Sequence, residues 1–122
     1  MGKLLSKIKG LFIKRPVGRT IAEDHAIREE TQNLSLYQYP TCPYCHRVRK
    51  VIKELNLDID LRDIHEFPEY RNELITKGGS STVPCLRIQD SEGGVRWLYE
   101  SSAINRFLIS RFGQEREGPS NS

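Results

Sequence analysis

The sequence is poor in sulfur, with three cysteines, one methionine and a single tryptophan among 122 residues. Three cysteines cannot all pair within one chain, which argues against a disulfide-stapled secreted scaffold. Long hydrophobic runs are also missing. The longest near the start is "LFI" at 11–13, short of the about 7–15 apolar residues in the core of a secretory leader. No stretch approaches the roughly 20 apolar residues needed to cross a bilayer. Acidic residues are absent from positions 1–20, which carry Lys3, Lys7, Lys9, Lys14, Arg15 and Arg19. Subtracting these six from 19 leaves the rest of the chain with 13 cations against 16 acids. That body is mildly acidic, so nucleic-acid binding is not expected of it. The chain is expected in the cytoplasm, a reducing compartment where a close cysteine pair is more often catalytic or metal-binding than structural.

What is present falls into three parts. Over residues 3–14, Leu4, Leu5, Ile8, Leu11 and Phe12 recur at helical spacing, with lysines off that face. This is the pattern of an interfacial helix, so a peripheral association with an anionic membrane surface is expected there. Gly2 and Ser6 in "MGKLLS" also fit N-myristoylation. The alternative is an added helix packed on the domain. "RPVGRT" breaks the pattern, and the acidic stretch 21–33 is a short helix or a linker. A domain is expected over 34–112, after an extension and linker over 1–33 and before a disordered tail over 113–122.

Within the domain, "LSLYQY" alternates and reads as a strand. Pro43 opens a helix whose stripe is Val48, Val51, Ile52 and Leu55. "LDIDLRDI" alternates again, with Leu57, Ile59 and Leu61 on one face. "FPEYRNELITKGG" is a helix ended by Gly78 and Gly79. "PCLRIQD" and "VRWLYE" flank "EGG" as a hairpin. "SSAINRFLISRF" closes with a helix capped by Ser101 or Ser102. The predicted order is β-α-β-α-β-β-α.

"TCPYCHRVRK" at 41–50 carries the chemistry. Cys42 falls just before a helix, where unpaired N–H groups and the helix dipole favour a negative sulfur. Arg47, Arg49 and Lys50 add positive potential. Cys45 follows one turn in, able to attack a mixed disulfide on Cys42 and release the partner. The rival readings are weaker. Zinc sites usually take four ligands, and Cys85, His25 and His65 supply no second paired spacing to join Cys42, Cys45 and His46. The C-x-x-C-H of haem attachment requires export, and the only methionine is Met1. His46 reads as a solvent-facing helix residue and Cys85 as a buried strand residue.

"CPYC" on a strand–helix junction, with "TVP" at 82–84 before a hairpin, resembles a dithiol glutaredoxin across residues 34–112. The resemblance implies an α/β, thioredoxin-like fold with a four-stranded mixed sheet. It implies Cys42 as nucleophile, Cys45 as resolving thiol, and glutathione as reductant, with no resident metal. Tyr44, Thr82 and Val83 would line the glutathione site, with Pro84 as a cis proline. Two departures stand out. The Lys found in many glutaredoxins three residues before the first cysteine is Tyr39 here, leaving Lys77 or Arg71 to face a glutathione carboxylate. "YESSAI" at 99–104 is similar instead to the N-terminal domain of glutathione S-transferases, which implies Glu100 and Ser101 on the γ-glutamyl group.

The expected activity is glutathione-dependent reduction of protein disulfides and glutathionylated proteins by a monomer, in cell redox homeostasis. Cluster binding across a dimer is left open by the resemblance. Two other readings compete: a non-catalytic adaptor docked on a membrane, and a transferase-like glutathione-binding domain.

Overall fold

The computed structural model describes residues 19–113. The amphipathic stretch 3–14, Gly2 and positions 114–122 of the expected tail lie outside the described residues. The acidic stretch takes its helical alternative, as α1 (Ile21–Thr31). Thr20 starts it in extended backbone. Its hydroxyl accepts the Glu23 N–H while the Glu23 carboxylate accepts the Thr20 N–H, satisfying two orphan donors at once.

The expected strand and helix order follows: β1 (Leu34–Gln38), α2 (Pro43–Glu54), β2 (Asp60–Asp63), α3 (Pro68–Glu73), β3 (Cys85–Gln89), β4 (Val95–Tyr99) and α4 (Ser101–Phe112). A single π-helical turn, Leu74–Gly78, continues α3 and stops at Gly79, whose φ of 95° suits glycine. The sheet order is β2-β1-β3-β4. β1 and β2 are parallel, while β3 runs antiparallel to β1 and β4 to β3. This is the thioredoxin-like arrangement that the sequence predicts.

The period of two along each strand divides the core by face. Leu34, Leu36 and Leu86 pack under the α2 stripe of Val48, Val51, Ile52 and Leu55 and under Ile104, Leu108 and Phe112 of α4. On the other face Tyr37, Cys85, Ile64 and Leu74 are joined by Tyr70, Trp97 and Tyr99. β1 is buried along its whole length because both faces are covered.

Two sequence expectations are corrected. The second strand is shorter than its alternating pattern, starting only at Asp60, and Leu61 is 45% exposed. β2 is an outer strand with a neighbour on one side only, so its pattern is not enforced by burial. Neither Ser101 nor Ser102 caps α4. Glu100 is the cap position, at φ 77°, with no side-chain cap bond, and Ser101 is already helical.

A polar network ties α3 to the sheet. The Tyr37 hydroxyl donates to Glu73 Oε1 at 2.5 Å, and the Arg62 guanidinium donates to both, at 2.9 Å and 2.8 Å. Arg62 also reaches Asp60 and lies over the rings of Tyr37 and Tyr70. Burial first, then the bond to Glu73, pushes the Tyr37 hydroxyl well above its ordinary range. Tyr37→Phe should therefore cost about 1 kcal/mol of stability, as for one net hydrogen bond. In a double-mutant cycle with Arg62→Ala, denaturant midpoints should show coupling between the two sites rather than additivity.

Cys85 supplies a second test. Burial pushes its thiol from 9.0 up to about 11, partly offset by the Tyr99 hydroxyl. The fold thus favours the protonated thiol. Its contribution is fully present below about pH 9 and is lost as pH rises toward 11. The reduced Cys85→Ala variant should show a shallower fall in stability across that window, measured by urea unfolding.

Candidate active site

β1 delivers the chain to the carboxyl end of the sheet, where Pro40 and Thr41 turn it into α2. Cys42 caps that helix in extended backbone, at φ −78° and ψ 117°, and its sulfur accepts the Cys45 N–H at 3.2 Å. Pro43 takes the first helical position, where no amide donor is needed. The Cys42 N–H donates to the Tyr39 carbonyl at 3.2 Å, closing the turn. Both thiols are free, with 4% of Cys42 exposed against none of Cys45. Burial, then a hydrogen bond with Cys42, pushes the Cys45 thiol up to about 12, with the Tyr39 backbone and Arg49 opposing. Cys45 thus holds its proton at neutral pH.

The cations after the pair have separate tasks. Arg49 donates to Gln38 Oε1 at 2.6 Å and to the carbonyls of Tyr39 and Pro40 at 3.4 Å and 2.9 Å. It therefore clamps the loop that holds Cys42, a role that charge counting along the sequence misses. Arg47 lies 5.4 Å from the centroid of the Tyr44 ring, which is 57% exposed beside the thiols. His46 is exposed, as expected. Tyr39, in the position where a lysine was expected, stacks on His65 with centroids 4.0 Å apart and planes at 17°. Neither ring carried a sequence signal of this stack, because it joins the ends of two different strands.

The remaining predicted residues reach the same end of the sheet by register. Tyr37 pairs with Cys85, and Cys85 with Tyr99, across strands roughly 4.8 Å apart. Pro84 immediately precedes that row and Glu100 immediately follows it, so both lie at the end where Cys42 sits. The Val83–Pro84 bond is cis and Pro84 is buried. Among the described residues, neither the N–H nor the C=O of Val83 has a backbone partner. Thr82 is exposed, its hydroxyl 2.8 Å from that of Ser80. Glu100 is exposed in a conformation uncommon for a residue with a side chain, and Ser101 is buried at the first turn of α4. Lys77 is exposed on the π-helical turn, and it and Arg71 make no ion pair among the described residues. That turn packs against β4: a Cβ at Gly78 would meet the Tyr99 hydroxyl at 2.8 Å and the Trp97 ring at 2.9 Å. Cys85 is fully buried in its strand.

Among the described residues, no group of three His, Cys, Asp or Glu side chains is arranged to hold a metal ion. No described helix is long and apolar enough to cross a membrane.

The comparisons agree with this geometry. The family model for glutaredoxin matches residues 34–92. Glutaredoxin 3 of Escherichia coli strain K12 is 32% identical over 72 residues, covering 58% of this chain and 87% of the relative. A solved trimeric glutathione transferase from Leishmania is similar at 30% identity and a TM-score of 0.50, over 65% of this chain and 18% of its own. A maleylacetoacetate isomerase from Anaeromyxobacter dehalogenans, with dicarboxyethyl glutathione and citrate in its active site, is 25% identical at a TM-score of 0.51. That likeness covers 66% of this chain and 37% of the isomerase, so the chain spans well under half of either larger protein. With a dithiol at a helix start beside a cis proline, and a relative matched over most of its length, the chain belongs to the glutaredoxin family of thiol–disulfide oxidoreductases.

Proposed function

We propose that the protein is a glutathione-dependent reductase of protein disulfides and of glutathionylated proteins, working in the cytoplasm at the surface of a membrane. The observation that carries the redox reading is the Cys42 sulfur set at a helix start against an amide N–H, with a second thiol one turn further on. Cys42 accepts an amide N–H at a helix start, while Cys45 is buried and protonated. Negative charge on the Cys42 sulfur is favoured by that amide and by the helix dipole.

Cys42 thiolate attacks a disulfide sulfur, forming a mixed disulfide and releasing the partner's other sulfur as a thiolate, which takes up a proton. With a glutathionylated substrate the mixed disulfide is Cys42–glutathione. A second glutathione thiolate attacks its glutathione sulfur, freeing Cys42 thiolate and glutathione disulfide. With a protein disulfide, Cys45 gives up its proton and attacks the Cys42 sulfur, closing a Cys42–Cys45 disulfide and releasing the protein's second thiolate. Two glutathione thiols return that disulfide to the dithiol and leave as glutathione disulfide. The groove for the tripeptide would run along residues 82–84. There Val83 offers its free N–H and C=O in the manner of an added strand, Pro84 shapes the turn, and Thr82 and Tyr44 form the walls. Glu100 would pair with the γ-glutamyl ammonium, and Ser101 and the first amides of α4 with its carboxylate. Lys77 is assigned to the glycyl carboxylate, since Tyr39 carries no charge. The solved isomerase with a glutathione conjugate supports glutathione as the ligand. Membrane association is assigned to residues 3–14, where each lysine contributes about 1 kcal/mol at an anionic leaflet.

Cys42→Ser should bring glutathione-coupled turnover to background. Cys45→Ser should keep deglutathionylation and lose dithiol reduction of protein disulfides. Full activity of Cys42→Ser in either assay would end the redox reading. Glu100→Gln should raise the KM for glutathione about tenfold, the effect of one charged hydrogen bond of ~1.5 kcal/mol, and leave kcat nearly unchanged. An unchanged KM would remove Glu100 from the site.

A further inference from the structure

α2 buries one face and presents the other. Val48, Val51, Ile52 and Leu55 enter the core, while Tyr44, His46, Arg47, Lys50 and Lys53 are exposed. Arg47, Lys50 and Lys53 follow at intervals of three, so they are neighbours along one side of the helix. The stripe begins beside the thiols. Arg47 lies over the ring of Tyr44, which stands between the two cysteines in sequence, and Lys50 and Lys53 carry the charge away along the helix.

The fold does not use this charge. Arg19 is held by Asp24 and the Leu55 carbonyl, Arg62 by Asp60 and Glu73, and Arg111 by Glu30. Arg49, on the same helix, is occupied by Gln38 and the loop carbonyls. Arg47, Lys50 and Lys53 make no ion pair among the described residues, and Glu54, four residues past Lys50, reaches none of them. α2 also has no acid in its first turn, where acids are favoured, and carries His46 and Arg47 near that end instead. Neighbouring like charges lower helix stability. The stripe therefore works against its own helix and has no partner within it. Only 4% of Cys42 is exposed, so a substrate sulfur must be aimed at it by contacts outside the thiols.

We propose that the stripe is a docking track for protein substrates that carry acidic residues beside the reacting cysteine. Helix rise puts Arg47 about 8 Å and Lys53 about 17 Å along the axis from Cys42. An extended chain advances about 3.3 Å per residue, so Asp or Glu about two to five residues from the reacting cysteine lies opposite the stripe. An acidic protein segment fits better than an anionic lipid surface, because the exposed face of α2 holds no Leu, Ile, Val or Phe to enter a bilayer. The inference rests on the reductase reading above and adds which protein substrates the site prefers.

The test uses the full chain and peptides with one glutathionylated cysteine. One peptide has glutamates at the second to fifth positions from the cysteine, and another has glutamines there. At low salt kcat/KM for the acidic peptide should be about tenfold higher, as for three exposed ion pairs. The preference should shrink toward unity at about 1 M salt, where the screening length is about 3 Å. Lys53→Gln should lower the preference about twofold, and Lys50→Gln with Lys53→Gln should lower it to about threefold or less. A ratio taken on one protein cancels any change in the thiol itself. Arg28→Gln, which removes one charge from α1, should leave the preference intact. Equal kcat/KM for the two peptides, equal losses in Arg28→Gln and Lys53→Gln, or full preference in the double variant overturns the docking track and leaves the redox reading standing. Turnover of neither peptide refutes the redox reading and this inference together. If the double variant keeps its peptide preference but no longer sediments with phosphatidylserine-containing vesicles, the stripe is a lipid contact and the proposal fails.

Discussion

The site depends on a sulfur taking the place of a capping oxygen. A helix start leaves amides without partners, and side chains that accept hydrogen bonds are selected there. Cys42 fills that position, so the contact that starts α2 also sets an amide against its sulfur. The second sulfur arrives one turn later on the same rigid element. Its amide makes the cap while its thiol is buried.

Around this start the sheet register does the assembly. The row Tyr37, Cys85 and Tyr99 spans three strands and places the loop before β3 and the start of α4 at one end. Pro84 and Glu100, more than forty positions from Cys42, thereby lie at its end of the sheet. Arg49 fixes the Cys42 loop from within its own helix, using loop carbonyls and Gln38 as acceptors. On the opposite face, the Arg62–Tyr37–Glu73 network anchors α3, which leads into the π-helical turn packed on Trp97 and Tyr99. The face of the sheet that carries the π-helical turn combines these polar bonds and aromatic rings with the buried side chains of Ile64 and Leu74.

The family resemblance is close at the thiols and looser around them. Stacked Tyr39 and His65 occupy a place where a cation was expected, and Glu100 and Ser101 stand in a segment similar to transferase domains. Charge around the groove is thus arranged differently on a similar backbone. The uncommon backbone of Glu100 marks that junction as set by its surroundings rather than by local preference.

Elements whose signals are local can be read directly along the chain. Pro43 and the stripe Val48, Val51, Ile52 and Leu55 specify α2, the alternation in 34–38 specifies β1, and Cys42 and Cys45 one turn apart at a helix start mark a candidate redox pair. The edge strand is shorter than its alternating pattern, because that pattern is not enforced by burial on both sides. The cap of α4 was misplaced, because Glu100 takes a backbone that local propensity disfavours. Other features depend on partners distant in the chain and follow from the pairing of the strands: the Tyr39–His65 stack, the Arg49 clamp, the burial of Arg19 against Leu55, and the placing of Pro84 and Glu100 at one end of the sheet. These contacts carry no periodicity, and each exists only after β pairing has brought separate segments within a few ångströms.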